Sequence, residues 1–272
     1  MKNSHLTILK IGGSCITYKD QSQARLRRNF LRRMAIEISL GMHKEKSSLI
    51  IVHGGGGMTH PLLDRYGLVD TLKTGIISTK QDKIAAAKIH LAMNELNNRV
   101  TKSLQDAGIP AWPIQTSAIT VSFQKNTPKV FLDAIRTALS LDIVPVLHGD
   151  LILDSEKGSR IFSGDALACL LSRDLHAEKL LFMSDVDGIY GSSEDIQKKI
   201  HPLPVFSTSD SQMETFVSNR LKGIDHSGGM IEKIYCIQNI CSDSQVRIFS
   251  GLIEGNITKA LLGESIGTEI VY

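Results

Sequence analysis

Residues 48–60 constrain the fold most, because an apolar run stops there at four consecutive glycines, at positions 54–57. A strand that ends in glycines exposes backbone N–H groups with no side chains in the way. Such a loop suits an anion, most often a phosphate or a carboxylate. A second apolar run, Leu6–Ile11, also ends in a pair of glycines and carries Lys10 just before them. These two strand-to-glycine turns, with a lysine beside one of them, indicate phosphate chemistry.

The length and charge of the chain exclude several classes of protein. At 272 residues the chain is long enough for one large or two-lobed domain. A hydrophobic fraction of 42% is ordinary for a globular protein, and a net charge of +3 is too small to indicate a nucleic-acid partner. The densest basic group, residues 25–33, lies on one helical pattern. We interpret it as a solvated helix face rather than a nucleic-acid surface.

Cysteine usage and the first residues predict a cytoplasmic protein. The cysteines form no C-x-x-C pair and lie among apolar residues, at Cys15, Cys169, Cys236 and Cys241. We interpret them as buried free thiols in a reducing compartment. The first five residues lead directly into a strand-like run, without the apolar core and cleavage site of a signal peptide. No apolar stretch approaches the ~20 residues that span a bilayer, so we expect no membrane partner.

Strand-like and helix-like patterns alternate along the chain. The predicted strands lie at 6–11, 48–52, 111–114, 143–147, 179–183, 246–249 and 267–271. The predicted helices lie at 22–41, 61–66, 79–106, 132–140, 163–175, 209–221 and 228–240. Two hairpins are expected, at 119–131 and around 154–158. The helix at 79–106 is expected to begin with a capping box formed by Ser78 and Gln81.

This alternation predicts an α/β fold, an αβα sandwich in which helices cover both faces of a mostly parallel central sheet. We expect one domain over residues 1–272, with an N-terminal acceptor lobe of about residues 1–160 and a C-terminal nucleotide lobe of about 161–272. Open sheets of this type bind ligands at the carboxyl ends of their strands. The glycine turns and the loops after the later strands are expected to meet at that edge.

The chain carries neither of two common nucleotide-binding motifs. It has no G-x-x-x-x-G-K-[ST] loop, and G-x-G-x-x-G follows neither of the first two strands. Phosphoryl transfer would therefore need lysines from separate segments, with Lys10, Lys19 and Lys233 as candidates. Fixed positive groups and backbone N–H donors stabilise the charge on a phosphoryl group in flight. Each lysine can instead be a surface charge, but Lys10, which ends an apolar strand, has no obvious packing role.

Three aspartates and one histidine each have a structural and a functional interpretation. Asp165 is favourable in the first turn of a helix capped by Ser163, or it holds lysines by ion pairing. Asp185 and Asp187 form a turn, or they orient a nucleotide and reach a metal through water. His60 begins a helix and faces water, or it adds a charge-assisted bond to a bound phosphate. The histidines show no metal-ligand spacing, so we expect no zinc site.

Taken in order, these fragments resemble the amino-acid kinase superfamily over essentially the whole chain. The matching fragments are Lys10-Ile-Gly-Gly-Ser14, His53-Gly-Gly-Gly56, Ser163-Gly-Asp165, Asp185-Val-Asp-Gly188, Gly228-Gly-Met230 with Lys233, and Gly263-Glu-Ser-Ile-Gly-Thr268. Each fragment is weak alone, whereas the ordered set is strong. The resemblance implies an αβα fold that transfers the γ-phosphoryl group of ATP to a carboxylate, a carbamate or a phosphate.

Within this superfamily the chain resembles the isopentenyl phosphate kinase family most. Lys19 stands nine residues after Lys10, and His60 ends the glycine loop as that family's phosphate-binding histidine does. The segment 249–267 resembles the family's closing segment. An acceptor that is itself a phosphate needs more positive charge than a carboxylate does, and a histidine supplies a donor. The resemblance therefore implies isopentenyl phosphate as the acceptor, with isopentenyl diphosphate and ADP as products.

The resemblance also implies a role for each matched residue. Lys10 and Lys233 neutralise the transferring phosphoryl group, and Asp165 orients both lysines. The nucleotide is contacted by Lys10, Gly12, Gly13, Ser14, Lys19, Asp185, Asp187, Gly188, Tyr190, Gly228 and Lys233. The acceptor phosphate is held by Gly54, Gly55, Gly56, His60, Gly149 and Asp150. Mg²⁺ accompanies ATP on its phosphates without a dedicated metal site in the protein, and members of the family are usually homodimers.

The chain departs from the family pattern in two places. Gly57-Met58-Thr59 stands where Ser-Phe-Gly is usual, which alters the wall of the acceptor site. Asp225-His-Ser replaces a commoner Asp-Val-Thr further along the chain. Two alternatives stay open: the same chemistry on a phosphonate such as fosfomycin, and a non-catalytic nucleotide-binding sensor. Retention of the two lysines and the aspartate that orients them argues against the sensor.

Overall fold

The computed structural model describes most of the chain, in segments. These are residues 5–18, 25–45, 47–68, 77, 79–123, 128–156, 158–191, 201–209, 213, 216–217, 228–241 and 243–271. Within these segments no helix combines the length and the apolar composition needed to cross a membrane.

An eight-stranded sheet organises the described part of the chain. Its strands are β1 (Leu6–Ile11), β2 (Ser48–His53), β3 (Ala111–Pro113), β6 (Val144–His148), β9 (Lys179–Ser184), β10 (Val205–Ser207), β11 (Gln245–Ser250) and β12 (Thr268–Val271). Their spatial order is β10-β12-β11-β9-β1-β2-β6-β3, and only β11 and β12 pair antiparallel. The mostly parallel sheet predicted from the sequence is confirmed.

Two antiparallel hairpins lie outside the main sheet. They pair β4 (Thr120–Val121) with β5 (Lys129–Val130), and β7 (Asp150–Asp154) with β8 (Gly158–Phe162). Both hairpins predicted from the sequence are therefore confirmed.

Eight α-helical segments are described. They are α1 (Gly13–Ile16), α2 (Arg28–Lys44), α3 (His60–Arg65), α4 (Lys80–Asp106), α5 (Asp133–Ser140), α6 (Gly164–Leu175), α7 (Gly228–Ile240) and α8 (Asn256–Leu261). Short 3₁₀ turns occupy Gly56–Met58 and Thr116–Ala118. Of the helix expected at 209–221, only residues 209, 213, 216 and 217 lie within the described segments.

Helices cover both faces of the sheet, which is why its central strands are apolar on both faces. On one face Ile8 and Phe182 belong to a core cluster that includes residues of α6 and α7. On the other face Leu9 and Ile51 belong to a second cluster, which includes residues of α2, α4 and α8. Successive residues of β1 thus enter different cores, as the two-residue period of a strand requires. The αβα sandwich is confirmed.

The helix expected at 22–41 is shifted, because it begins at Arg28 and ends at Lys44. Residues just before it pair instead with the segment that directly follows α1. Leu26 forms an antiparallel bridge with Thr17, and the N–H of Tyr18 donates to the carbonyl of Arg25. This pairing keeps residues 25–27 out of the helix. The spacing of apolar residues, from which the helix is predicted, does not reveal it. Residues 22–24 lie outside the described segments.

The capping box expected at Ser78 and Gln81 is wrong by one residue. Thr79 is the N-cap of α4, where its side chain accepts a hydrogen bond of 3.1 Å from the N–H of Asp82. The Asp82 carboxylate accepts in return from the N–H of Thr79 at 3.2 Å. Ser78 with Gln81 and Thr79 with Asp82 both have the three-residue spacing of a capping box. The second pair forms the box, because the Asp82 carboxylate reaches the N–H of the cap residue.

The expectation that the cysteines are buried holds for two of them. Cys15 and Cys169 are buried, whereas Cys236 and Cys241 are half-buried, and all four are free thiols. Cys236 lies between Ile234 and Ile237, which are fully buried on the face of α7 that packs on the sheet. Its position in the helical turn places it on the flank of that face.

Candidate active site

The site forms where neighbouring parallel strands end. β1 lies between β2 and β9, and β2 also pairs with β6, all in parallel. The segments after these four strands therefore lie at one edge of the sheet, the edge at which open α/β sheets bind ligands. They include both glycine turns, the Gly149–Asp150 step and the loop after β9.

The two glycine turns are in backbone contact with each other. A Cβ atom on Gly13 would lie 2.2 Å from the backbone nitrogen of Gly56, closer than any real Cβ contact. Gly56 has a φ of +49°, which side chains other than glycine rarely adopt. Glycine at both positions is what allows the turn after β1 and the turn after β2 to meet.

Some of the expected backbone donors already bond within the protein. The N–H of Gly12 donates to the carbonyl of Met183 at 2.8 Å, and that of Gly54 donates to the carbonyl of Ile11 at 3.0 Å. These bonds fix the two turns on β9 and β1. The N–H groups of Gly12 and Gly54 therefore hold the backbone in place rather than standing available for a bound phosphate.

Other N–H groups of the same turns are unoccupied. Within the described segments no protein acceptor takes the N–H groups of Gly13, Ser14, Gly55 and Gly56. Adjacent backbone donors without acceptors form the kind of concavity that binds anions. These four positions include three of the expected ligand-binding glycines and the expected Ser14.

A buried ion cluster links the two halves of the chain. The ammonium nitrogens of Lys10 and Lys233 each lie 2.7 Å from the same oxygen, Oδ1 of Asp165. Both lysine side chains are 8% exposed, and that of Asp165 is 17% exposed. Lys10 comes from β1, Asp165 from the first turn of α6 and Lys233 from α7. The structure thus brings together three of the four residues expected to be catalytic.

Both interpretations of the Ser163–Asp165 fragment hold at once. The side chain of Ser163 accepts a hydrogen bond of 3.1 Å from the N–H of Ala166, so Ser163 is the N-cap of α6 as expected. The cap fixes the first turn of the helix, which aims the Asp165 carboxylate at the two lysines. The residue that caps the helix and the residue that pairs with the lysines therefore lie in one three-residue fragment.

The cluster carries more positive than negative charge. Burial raises the pKa of Asp165, but the two ammonium groups outweigh burial and hold that pKa at about 2. Burial lowers the pKa of Lys233, as does the like charge of Lys10, while the Asp165 carboxylate raises it. The Lys233 ammonium also lies 4.8 Å from the ring centroid of Phe182, a favourable cation–π position. Two cations share one carboxylate, so a bound anion would complete the charge balance.

The loop after β9 contains four of the residues expected at the nucleotide. The Tyr190 hydroxyl donates to the Asp187 carboxylate at 3.4 Å, and burial together with that carboxylate raises the pKa of Tyr190. Asp185 follows Ser184, whose hydroxyl donates to it at 3.4 Å. A Cβ on Gly188 would lie 2.5 Å from the Thr268 hydroxyl, so the loop is tightly packed there.

Thr268 is a positioning residue that sequence reasoning missed. Its buried hydroxyl accepts a hydrogen bond of 2.8 Å from the N–H of Ile189 and donates one of 2.6 Å to the carbonyl of Leu203. It thereby ties β12 to the loop that carries Asp187 and Tyr190. The fragment ending at Thr268 is part of the family resemblance, but a threonine's hydrogen-bond partners cannot be identified from its sequence position.

The expected acceptor side is described in part. His60 opens α3 directly after the second glycine turn, with Pro61 in the first helical turn. The His60 side chain and Lys19 lie outside the part of the chain that the structure describes.

Gly228, which is expected at the nucleotide, opens α7, the helix that carries Lys233.

Gly149 and Asp150 have well-defined surroundings. A Cβ on Gly149 would lie 2.7 Å from the backbone nitrogen of Gly164, so Gly149 lets the end of β6 contact the start of α6. The Asp150 side chain is fully buried, and its oxygens accept from the N–H groups of Leu151 and Ser117. Asp150 therefore organises the protein backbone near the site.

A histidine that sequence reasoning missed completes this network. His90 of α4 places its Nδ1 2.8 Å from the Asp150 carboxylate, while its Nε2 lies 2.7 Å from the Gln115 side-chain amide. Asn94 also contacts the His90 ring, at 3.0 Å. His90 lay within a helical pattern that showed no local sign of a polar partner, because Asp150 is 60 residues away.

His53, at the end of β2, is part of the core rather than a phosphate ligand. It is fully buried, and its Nε2 lies 3.1 Å from the Asn97 side-chain oxygen. Burial and the neighbouring His148 lower the pKa of His53 to about 3. An uncharged imidazole at physiological pH supplies no positive charge to the glycine turn.

Comparison with known sequences gives a consistent result. The model of the amino acid kinase family matches residues 5–250 of this chain. The isopentenyl phosphate kinase of Methanocaldococcus jannaschii is 36% identical over 98% of this chain and 99% of its own length. That of Methanothermobacter thermautotrophicus is 31% identical, covering 97% and 98% of the two chains. Acetylglutamate kinase of Campylobacter jejuni subsp. doylei is 23% identical, covering 98% and 91%.

Comparison with solved structures agrees. An X-ray structure of isopentenyl phosphate kinase has a TM-score of 0.81 and 31% sequence identity, covering 98% of this chain and 100% of that chain. Aspartate kinase from Synechocystis shares the fold, with a TM-score of 0.66, 15% identity, and coverage of 98% of this chain and 39% of that chain.

The shared carboxylate makes the stability of the fold depend on Asp165. Asp165→Asn removes the negative charge that two buried ammonium groups share. We therefore expect the free energy of unfolding, measured with urea at pH 7, to fall by roughly 3 kcal/mol. Because the folded pKa of Asp165 lies below its ordinary value of 3.8, its contribution is present above that value. It is lost as the pH falls toward 2, so the difference between variant and parent should shrink over that range.

Asp174→Asn provides a matched control on the same helix. Asp174 pairs with Arg173 at 2.7 Å, but that arginine side chain is 43% exposed, so we expect a change below about 1 kcal/mol. An Asp165→Asn variant as stable as the parent at pH 7 would contradict the buried cluster.

Proposed function

Because this chain belongs to the amino acid kinase family, we propose that it transfers the γ-phosphoryl group of ATP to isopentenyl phosphate, giving isopentenyl diphosphate and ADP. The observation that carries this proposal is the buried Lys10–Asp165–Lys233 cluster beside the two contacting glycine turns. The relatives with the highest identities reported above are named isopentenyl phosphate kinases and match over their full length. The enzyme is an ATP-dependent phosphotransferase.

The transfer is a displacement at phosphorus. An oxygen of the acceptor phosphate bonds to the γ-phosphorus of ATP, the bond from that phosphorus to the β–γ bridging oxygen breaks, and ADP leaves with the bonding electrons. Negative charge spreads over the equatorial oxygens of the phosphoryl group in flight. Lys10 and Lys233 together neutralise that charge, and Asp165 keeps both ammonium groups close to each other. Their burial strengthens the effect, because water does not screen them.

The glycine turns bind the anionic groups on either side of the transfer. The unoccupied N–H groups of Gly13 and Ser14 support a role in holding the γ-phosphate. Those of Gly55 and Gly56 support a role on the acceptor side, adjacent to His60 at the start of α3. His60 supplies the acceptor phosphate with a donor in this proposal, while Gly149 and Asp150 shape the surrounding backbone.

The nucleotide occupies the side of the site formed after β9. Asp185, Asp187, Gly188 and Tyr190 line its pocket in this proposal, with Gly12, Lys19 and Gly228 near its phosphates. Mg²⁺ travels on the phosphates of ATP and offsets their charge. In this proposal Asp185 and Asp187 can reach the ion through water, as is usual for Mg²⁺ that stays on nucleotide phosphates.

Apolar residues that follow His60 in the chain support an isoprenoid acceptor over a short polar one. Leu68, Ile89 and Leu151 belong to a small buried cluster, which lies apart from the two main cores. Leu62 and Leu63 of α3 pack against it, one turn after His60. The side chains of Leu62 and Leu63 are half-buried, so an apolar tail can pack on them at a favourable free energy of about 25 cal/mol per Å².

A phosphonate acceptor is the second candidate, and one observation favours it. Gly57-Met58-Thr59 replaces the family's usual Ser-Phe-Gly in the acceptor wall. Loss of an aromatic side chain there changes the shape of the space next to the acceptor phosphate. The same lysine cluster would serve a phosphonate such as fosfomycin equally well.

We further propose that the protein is cytoplasmic and forms a homodimer. At the edge of the sheet, Trp112 of β3 is 60% exposed, and Leu91 of the adjacent α4 is 57% exposed. Large exposed apolar side chains of this kind are typical of protein contacts. Light scattering after size-exclusion chromatography is expected to give the mass of two chains, and a mass of one chain would contradict the dimer.

Acceptor choice is tested by comparing three substrates in a coupled assay of ADP release. We expect kcat/KM to be highest for isopentenyl phosphate, somewhat lower for dimethylallyl phosphate, and at least roughly 100-fold lower for fosfomycin. The reason is the apolar cluster next to α3. A preference for fosfomycin would replace the leading proposal with the second candidate.

His60 is tested by its alanine variant in the same assay. Loss of the donor to the acceptor phosphate should reduce turnover with isopentenyl phosphate by roughly 100-fold or more. His43→Ala is the control, because His43 is exposed at the end of α2 and its Nδ1 bonds to the carbonyl of Ser39 within that helix. Normal turnover in His60→Ala would remove this histidine from the mechanism.

A further inference from the structure

Thr17 lies between the two glycine turns and has no role so far. It ends the helical turn α1, and its side chain is fully buried. Its hydroxyl donates a hydrogen bond of 2.7 Å to the carbonyl of Gly13 and accepts one of 2.8 Å from the N–H of Gly57. One hydroxyl thus joins the turn after β1 to the turn after β2.

A hydroxyl is the group that this position requires. It donates and accepts through one atom, which neither a methyl group nor a carboxylate can do. The Gly57 N–H is buried and depends on Thr17 for an acceptor. A Cβ on Gly56 would lie 2.4 Å from the Thr17 hydroxyl oxygen, so the second turn is packed directly against it.

Thr17 is itself held rigidly by the surrounding backbone. Its N–H donates to the carbonyl of Gly13 at 3.0 Å, and its carbonyl accepts from the side chain of Arg27 at 3.3 Å. It also forms the bridge to Leu26 that delays the start of α2. The backbone of Thr17 is therefore fixed, and the two hydrogen bonds of its hydroxyl orient the side chain on that fixed backbone.

We propose that Thr17 is a positioning residue for phosphoryl transfer. By clamping the two glycine turns it fixes the separation between the γ-phosphate of the donor and the phosphate of the acceptor. This inference rests on the proposed function, since it assigns the turns to the two reacting groups. Thr17 contacts neither reactant, and its effect passes through Gly13 and Gly57.

Loosening the clamp is expected to affect binding of the γ-phosphate but not of the rest of the nucleotide. ADP lacks the group held between the turns, so loosening the clamp leaves ADP binding unchanged. A non-hydrolysable ATP analogue has that group, so its binding weakens. Misplacement by about 1 Å at a reacting centre lowers turnover by up to roughly 100-fold.

The test compares Thr17→Val, which keeps the shape and removes the hydroxyl, with Thr17→Ser, which keeps the hydroxyl. For Thr17→Val we expect kcat to fall roughly 10- to 100-fold, binding of AMP-PNP to weaken roughly tenfold by calorimetry, and ADP affinity to stay within about twofold. Thr17→Ser should restore all three values to within about twofold. Thr17→Ala repeats the measurement without added bulk if the valine variant does not fold.

Thr101→Val is the matched control, because Thr101 is a buried threonine whose hydroxyl has no partner in the described structure. It should leave kcat and both affinities unchanged. Unchanged kcat in the variants that lack the Thr17 hydroxyl would overturn the inference, as would equal weakening of ADP and AMP-PNP. If the parent enzyme phosphorylates none of the three acceptors, the proposed function fails, and the two nucleotide affinities still decide the role of Thr17.

Discussion

The site depends on one carboxylate oxygen that holds two buried ammonium groups. Asp165 keeps Lys10 and Lys233 close together, although like charges repel and burial disfavours each of them. The arrangement retains an excess positive charge in a place that water screens poorly. In the proposed reaction, a transferring phosphoryl group would supply the matching negative charge, most strongly in the transition state. Under that proposal, the stability of the protein and the stabilisation of the reacting group draw on the same three side chains.

Close backbone approach is the second constraint. Gly13 meets Gly56, and Gly149 meets Gly164, at distances that no side chain allows. The first contact joins the turns after β1 and β2, while the second brings the end of β6 against the start of α6, which carries Asp165. Three parallel strands and one helix can converge on a small volume only because these positions lack Cβ atoms. The two glycine turns and the lysine cluster are thereby brought together, and we propose that the donor and the acceptor bind there.

Much of the fold and the core of the site follow from local sequence signals. The apolar strand that carries Lys10, the N-cap Ser163 and the glycine turns each have a short-range pattern with a physical meaning. Hydrogen bonds between separate segments of the chain explain what the sequence did not predict. The bridge from Thr17 to Leu26 shortens α2 at its start, and His90 and Thr268 find partners 60 and 79 residues away. Likewise, which glycine N–H groups are already bonded depends on neighbouring strands, so sequence alone does not separate Gly12 from Gly13.

In the proposed mechanism, both lysines of the cluster contact the phosphoryl group during transfer. A crystal structure with ADP, isopentenyl phosphate and an aluminium fluoride bound as a mimic of the transferring group tests this most directly. We predict that the ammonium groups of Lys10 and Lys233 both lie within hydrogen-bond distance of the fluoride ligands while Asp165 still contacts both lysines. A structure in which the aluminium fluoride binds away from the two ammonium groups would contradict the account.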